Sequence, residues 1–170
     1  MKTAIRDNDP VYVMENTTLY GNMGDVPDPA DGDFLIPLGK ADIKREGSDI
    51  SLIAHGASVL RCLEAAEILA SEHNIDAEVV DLRSIRPLDQ DAIIESVKKT
   101  NRAVLVDESK PFCGVSAQIA TLIQDYAFDY LDAPVKRVCT IDAPAIYSPH
   151  VEPDQLPNAK RIVAQVLTIA

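Results

Sequence analysis

Four residues in this 170-residue chain stand where predicted strands end and where side chains of their type could work together. His55 follows SLIA, Asp107 and Glu108 follow AVLV, and Asp142 follows the run that ends at Cys139. In an open parallel sheet such positions converge on one rim. Carboxylates gathered near an imidazole make an acid/base pair or a metal-ligand set. Asp81 and Arg83 stand at the end of a neighbouring strand. The competing reading is helix capping and surface charge, because Asp is common at helix approaches and no spacing here fixes a metal geometry. The segment HGAS, 55–58, leads from strand to helix and so offers N–H groups to an anion, with Ser58 or Gly56 as the helix cap. It lacks the second and third glycines of a dinucleotide fingerprint. Cys113 precedes Gly114 at another helix start, where the macrodipole favours a thiolate, while Cys62 and Cys139 read as core.

A second group of residues points to contact rather than chemistry. Phe112, Gly114, Gln118, Tyr126, Phe128 and Tyr130 surround one predicted helix, and three of the chain's eight aromatic residues fall near its end. Such a concentration marks a subunit interface or closes the core.

The elements that must position these residues follow from the apolar pattern. AEVVDL, RSIRPLD, QDAIIESVKKTN and RAVLVD read as strand, loop, helix and strand, a βαβ unit of a parallel sheet. Pro87 disfavours helix at Arg86, and Asp89 then stands at the helix N-cap. Before this unit, SLIA is a strand, and the helix 57–72 places Val59, Leu63, Ala66 and Ala70 on one face, flanked by Leu60 and Leu69. After it come a helix over 114–126, a strand over 135–139 and a closing helix AKRIVAQVLTIA with Pro157 in its first turn. The alternation predicts a three-layer α/β sandwich with a mostly parallel sheet, right-handed crossovers and any ligand at the strand C-termini.

Composition narrows the function. Aromatic residues make up 5% and Trp is absent, so Val, Ile, Leu and Ala must build the core, as suits a helix-covered sheet. A net charge of -11 argues against nucleic-acid and anionic-membrane partners, and no apolar run reaches the length of a membrane span. Three cysteines without a CxxC pair suggest neither a disulfide framework nor a zinc site. Before this core, MKTAIRD has the character of a last helical turn, VYVM of a short buried strand, and residues 21–37 of an extended Gly/Pro/Asp-rich linker. The expected division is 1–33, the end of a preceding domain plus linker, and 34–170, the α/β domain.

EGSDISLIAHG, AEVVDLRSIRPLD, IIESVKKTNRAVLVDES, AFDYLDAPVKRVCTIDAPAIYSP and LPNAKRIVAQV, in this order, resemble the C-terminal domain of the transketolase-like beta subunit of 2-oxo acid dehydrogenases, that of pyruvate dehydrogenase in particular. IRDNDPVYVMENTTLYGNMGDVPD is similar to the end of that subunit's pyrimidine-binding domain. The resemblance implies a transketolase C-terminal-like fold and a beta chain in a heterotetramer. That assembly uses thiamine diphosphate and Mg to decarboxylate pyruvate and acetylate a lipoyl group. It implies three partners: the pyruvate dehydrogenase alpha subunit, a second beta subunit, and the docking domain of the dihydrolipoyl acyltransferase. The catalytic motifs of the family lie in the pyrimidine-binding domain, so no catalytic, cofactor or metal residue is carried over, and no cofactor is expected on this chain alone. The implied location is the cytoplasm, or an organelle matrix if a targeting segment has been removed. Branched-chain 2-oxo acids and acetoin remain alternative substrates. A stand-alone ligand-binding domain using the His55, Asp107, Glu108 and Asp142 rim is the competing reading.

Overall fold

The computed structural model describes residues 1–28, 30, 32–148 and 150–170. A short helix α1 (Lys2–Arg6) opens the chain; the described residues between 7 and 41 form no strand, and a 3-10 turn spans Thr17–Leu19. VYVM is therefore not a buried strand: Tyr12 and Met14 are 87% and 83% exposed. Its β-branched and aromatic residues suit a strand, but no neighbouring strand supplies the hydrogen bonds or the cover.

From residue 42 onward the α/β alternation is realised. Strands β1 (Asp42–Arg45), β2 (Ile50–Ala54), β3 (Ala77–Asp81), β4 (Ala103–Asp107) and β5 (Lys136–Cys139) form one sheet in the order β1-β3-β2-β4-β5. All neighbours pair parallel except β1, which runs antiparallel to β3 along one edge. Helices α2 (Ser58–His73), α3 (Gln90–Thr100) and α4 (Val115–Ala127) link the parallel strands, and α5 (Glu152–Gln155) and α6 (Ala159–Val166) close the chain.

Alternation along each strand divides the core in two. Leu52, Ala54, Val79, Val104, Val106 and Val138 pack beneath α2 and α6, whereas Ile53, Val80, Leu82 and Leu105 pack beneath α3 and α4. Each fully buried Leu or Ile contributes about 1.5–3 kcal/mol relative to exposure. The inward face of α2 consists of Val59, Cys62, Ala65, Ala66 and Leu69. Ala70, expected there, is exposed. The small residues Cys62, Ala65 and Ala66 let α2 approach the sheet closely.

Local signals explain several helix ends. Asp89 caps α3, its carboxylate accepting the Ala92 N–H at 3.4 Å, and Asn101 ends the same helix in the left-handed conformation. Asn158 caps α6 by accepting the Arg161 N–H, so Pro157 precedes the helix instead of occupying its first turn. For α2 the N-cap is Ala57 and no side chain caps it. Neither Ser58 nor Gly56 serves that role; Gly56 instead makes the left-handed turn at φ 59 that redirects the chain into the helix.

One polar inlay crosses the second core layer. The Ser51 hydroxyl lies 2.6 Å from Ser96 Oγ and 2.7 Å from Thr100 Oγ1, joining β2 to α3 with all three residues buried. Nearby, the buried Glu78 of β3 is paired with Lys99 of α3, which also donates to Glu46 at 2.9 Å.

Candidate functional site

The winding of the sheet reverses between β2 and β4. The chain leaves β2 through α2 toward β3 on one side, and leaves β4 through α4 toward β5 on the other. The carboxyl ends of these two strands are where an open α/β sheet offers a crevice. His55 and Asp107 stand there, with His55 Nε2 3.6 Å from Asp107 Oδ1.

Asp107 is nearly fully buried, and its carboxylate is engaged on both oxygens. The Ser109 N–H donates to Oδ1 at 2.9 Å; the Ser109 hydroxyl and the Ser116 N–H donate to Oδ2 at 2.6 and 2.9 Å. Burial is the largest single influence on this carboxyl and pushes its pKa upward. The His55 imidazole, the Ser109 hydroxyl and the N–H groups of Ser116 and Ser109 more than offset it and hold the group well below the usual carboxylate range. His55 Nε2 is a buried nitrogen without a hydrogen-bond partner within normal distance among the described residues.

Gly114 makes this arrangement possible. A Cβ there would lie 2.6 Å from the Lys110 carbonyl oxygen and would collide with Ser109 Oγ. Without that atom the loop 108–113 folds tightly over the start of α4, and Asp107 reaches across it to the second residue of the helix. Ser109 and Ser116 complete the cluster and were not singled out from the sequence. The available signal was the Asp-Glu-Ser run at a strand end, the pattern of a side chain turning back on its own loop.

The other rim residues are not drawn in. Glu108 is exposed and accepts from Asn16 Nδ2 at 3.3 Å, tying the N-terminal segment to the sheet. Asp142 lies beyond β5, on the lining of a separate cavity. No group of three or more His, Cys, Asp or Glu side chains among the described residues could hold a metal ion. Asp107 has both carboxylate oxygens engaged by Ser109 and Ser116, so it does not fit as a ligand for a magnesium and diphosphate cofactor.

The contact residues divide as well. Phe112 is 83% exposed on the loop before α4, and Gln118 is exposed on α4. Tyr126, Phe128 and Tyr130 are exposed around a cleft of about 500 Å³ that Gln124, Asp125 and Asp129 also line. Lys98 Nζ sits 4.8 Å from the centre of the Tyr130 ring. Gly114 is buried and contributes no surface of its own. Cys113 is exposed, with φ 59, while Cys62 and Cys139 are buried as expected.

Residues 39–162 match the family described as the C-terminal domain of transketolase. The chain belongs to this family. Within the transketolase C-terminal family it is 48% identical over 166 residues to the beta subunit of an acetoin:2,6-dichlorophenolindophenol oxidoreductase of Bacillus subtilis, covering 98% of this chain and 47% of that one. It is 45% identical over 168 residues to the mitochondrial pyruvate dehydrogenase E1 beta subunit of Mus musculus, covering 98% of this chain and 46% of that one. A solved structure of a split-gene transketolase, described as an inactive beta4 tetramer, superposes with a TM-score of 0.70 at 26% identity, over 86% of this chain and 45% of the other. The chain spans about half the length of the curated relatives it matches. The expected transketolase C-terminal-like fold is the observed one, and pyruvate dehydrogenase beta subunits are among its relatives. No described helix is long and apolar enough to cross a membrane.

Proposed function

We propose that this chain is the C-terminal assembly domain of the beta subunit of a thiamine-diphosphate-dependent pyruvate dehydrogenase, non-catalytic by itself. The observation that carries the reading is the construction of the rim. At the position where a doubly wound sheet offers a ligand crevice, Asp107 has both oxygens committed to its own loop and helix. Identity of 45% to a pyruvate dehydrogenase beta subunit over nearly the whole chain supports the enzyme class. Thiamine diphosphate and Mg then belong to the intact heterotetramer, where the cofactor supplies the carbanion chemistry.

The surface supports an assembly role. Tyr12, Met14, Met23, Phe112 and Tyr147 are large side chains left almost fully exposed, and such apolar surface marks contact sites. In this reading residues 1–33 end the preceding pyrimidine-binding domain and its linker. Phe112, Gln118, Tyr126, Phe128 and Tyr130 meet the alpha subunit or the second beta subunit. The net charge of -11 suits a basic docking domain of the dihydrolipoyl acyltransferase by raising its encounter rate. The location is the cytoplasm or an organelle matrix.

Calorimetry with thiamine diphosphate and magnesium tests the division of labour. The reading expects magnesium-dependent binding heat from an intact heterotetramer and none from this chain; stoichiometric magnesium-dependent binding by the chain alone overturns it. An acetoin-cleaving enzyme is the second reading, favoured by the 48% identity to the Bacillus subtilis subunit. Pyruvate-dependent against acetoin-dependent reduction of dichlorophenolindophenol, by a heterotetramer carrying this sequence, separates the two.

A further inference from the structure

We propose that the cavity along the free edge of β5 binds a small phosphorylated anion. The cavity has a volume of about 450 Å³ and takes Lys136, Arg137 and Arg161 into its lining against one carboxylate, Asp142. That balance runs opposite to the chain as a whole, whose net charge is -11. Among the described residues, none of these three cations forms an ion pair, a state they share with Arg86, Lys98, Lys110 and Lys160 and not with Lys40, Lys44, Arg45, Arg83 and Lys99.

The two guanidiniums are held in place without being neutralised. Arg161 is half-buried and donates through Nη1 to the carbonyl oxygens of Gln155 and Leu156 at 3.2 and 2.9 Å, and through Nη2 to that of Cys139 at 2.7 Å. Arg137 donates through Nη1 to the Pro111 carbonyl at 2.9 Å. Each guanidinium is thus oriented by neutral acceptors and keeps N–H groups for a further partner. A pre-ordered cation lowers the entropy lost on binding. Planar guanidinium forks bind the oxygens of a phosphate or diphosphate bidentately, and an ammonium in the same lining adds a point charge.

Size and shape select a small molecule. A cavity in the range of about 300–1,000 Å³ accommodates a metabolite-sized ligand, and Pro111, Val135 and Ile141 add apolar surface to the lining for an organic moiety. An extended polyanion such as a nucleic acid is opposed by the net charge of -11 of the chain as a whole.

Titration calorimetry on the full chain, in low salt with a chelator to remove divalent ions, tests the site with inorganic phosphate, inorganic diphosphate and adenosine diphosphate. Saturable binding, with diphosphate tighter than phosphate, is expected. Lys136→Gln and Arg137→Gln should each weaken it roughly tenfold, a loss of about 1.4 kcal/mol. Lys160→Gln, exposed and outside the lining, should leave it unchanged. Because Arg161 also holds the chain before α6, Arg161→Gln is read only beside a melting curve, and the β5 variants carry the decision. Adenosine diphosphate tighter than free diphosphate supports the site with a phosphate ester as its ligand, and the reverse supports it with the free anion. No saturable heat from any probe, or binding that Lys136→Gln and Arg137→Gln leave intact, overturns the proposal.

Discussion

Replacing Asp107 by alanine removes three hydrogen bonds to a buried carboxylate and leaves the Ser116 N–H at the start of α4 without its acceptor. Loss of a helix cap costs about 1 kcal/mol, and a buried unpaired donor adds about 1–3 kcal/mol, so the chain should lose about 3 kcal/mol at neutral pH. For a chain of this size that corresponds to a fall in Tm of roughly 6–12 °C. Asp107→Asn keeps one acceptor oxygen and should lose about half as much. The pH dependence separates the charge from the geometry. The folded-state pKa of Asp107 is depressed, so its contribution is complete above about pH 5 and is lost as pH falls through the unfolded value, about 3.9, toward the lower folded one. Urea denaturation of wild type and Asp107→Asn between pH 7 and pH 3 should therefore show a gap that narrows on acidification. Parallel curves, or an alanine variant within about 0.5 kcal/mol of wild type, would refute the assignment of Asp107 as the group that joins β4 to α4.

Three further outcomes follow from the packing. Gly114→Ala should destabilise by about 1–3 kcal/mol through overpacking against Ser109 and Lys110, whereas Gly56→Ala, in open space at positive φ, should cost only about 1 kcal/mol; paired thermal melts compare them. Lys99→Met leaves Glu78 buried without its cation, and with Lys99 44% exposed the loss should be about 2 kcal/mol, below the full cost of breaking a buried pair, measured in denaturant. Of the three thiols, only Cys113 should react rapidly with a disulfide reagent under native conditions. Cys62 and Cys139 are buried, and burial pushes the Cys62 thiol up, so both should react only on unfolding.

The parallel core was legible because its signals are local. Val79, Val80 and Leu82 and then Val104, Leu105 and Val106 are runs that only a doubly covered strand explains, and Asp89 announces α3 from one residue away. Strand β1 was not legible. Asp42, Lys44 and Arg45 put charge on three of its four residues, as befits an edge exposed to water, and its pairing with β3 skips a residue between Ile43 and Arg45. VYVM failed in the opposite direction, since strand propensity says nothing about whether a partner strand exists. At the rim, residue types brought His55 and Asp107 forward, and the structure places them 3.6 Å apart. The role of Asp107 depends on Ser116, nine positions away across a loop that closes only because Gly114 has no side chain. Asp142 shows the same limit. It is at a strand end by sequence, but one strand further out, and so it faces a different cavity.

The Asp107 cluster also bears on how this fold can change over evolutionary time. Where other doubly wound sheets leave room for a guest, this chain has installed a permanent resident that belongs to its own backbone trace. Such a keystone lets the domain keep its shape while the segments around it vary. A new ligand at that point could enter only by evicting the group that holds strand and helix together, so innovation is steered outward, to the edges and loops where alteration leaves the arch standing.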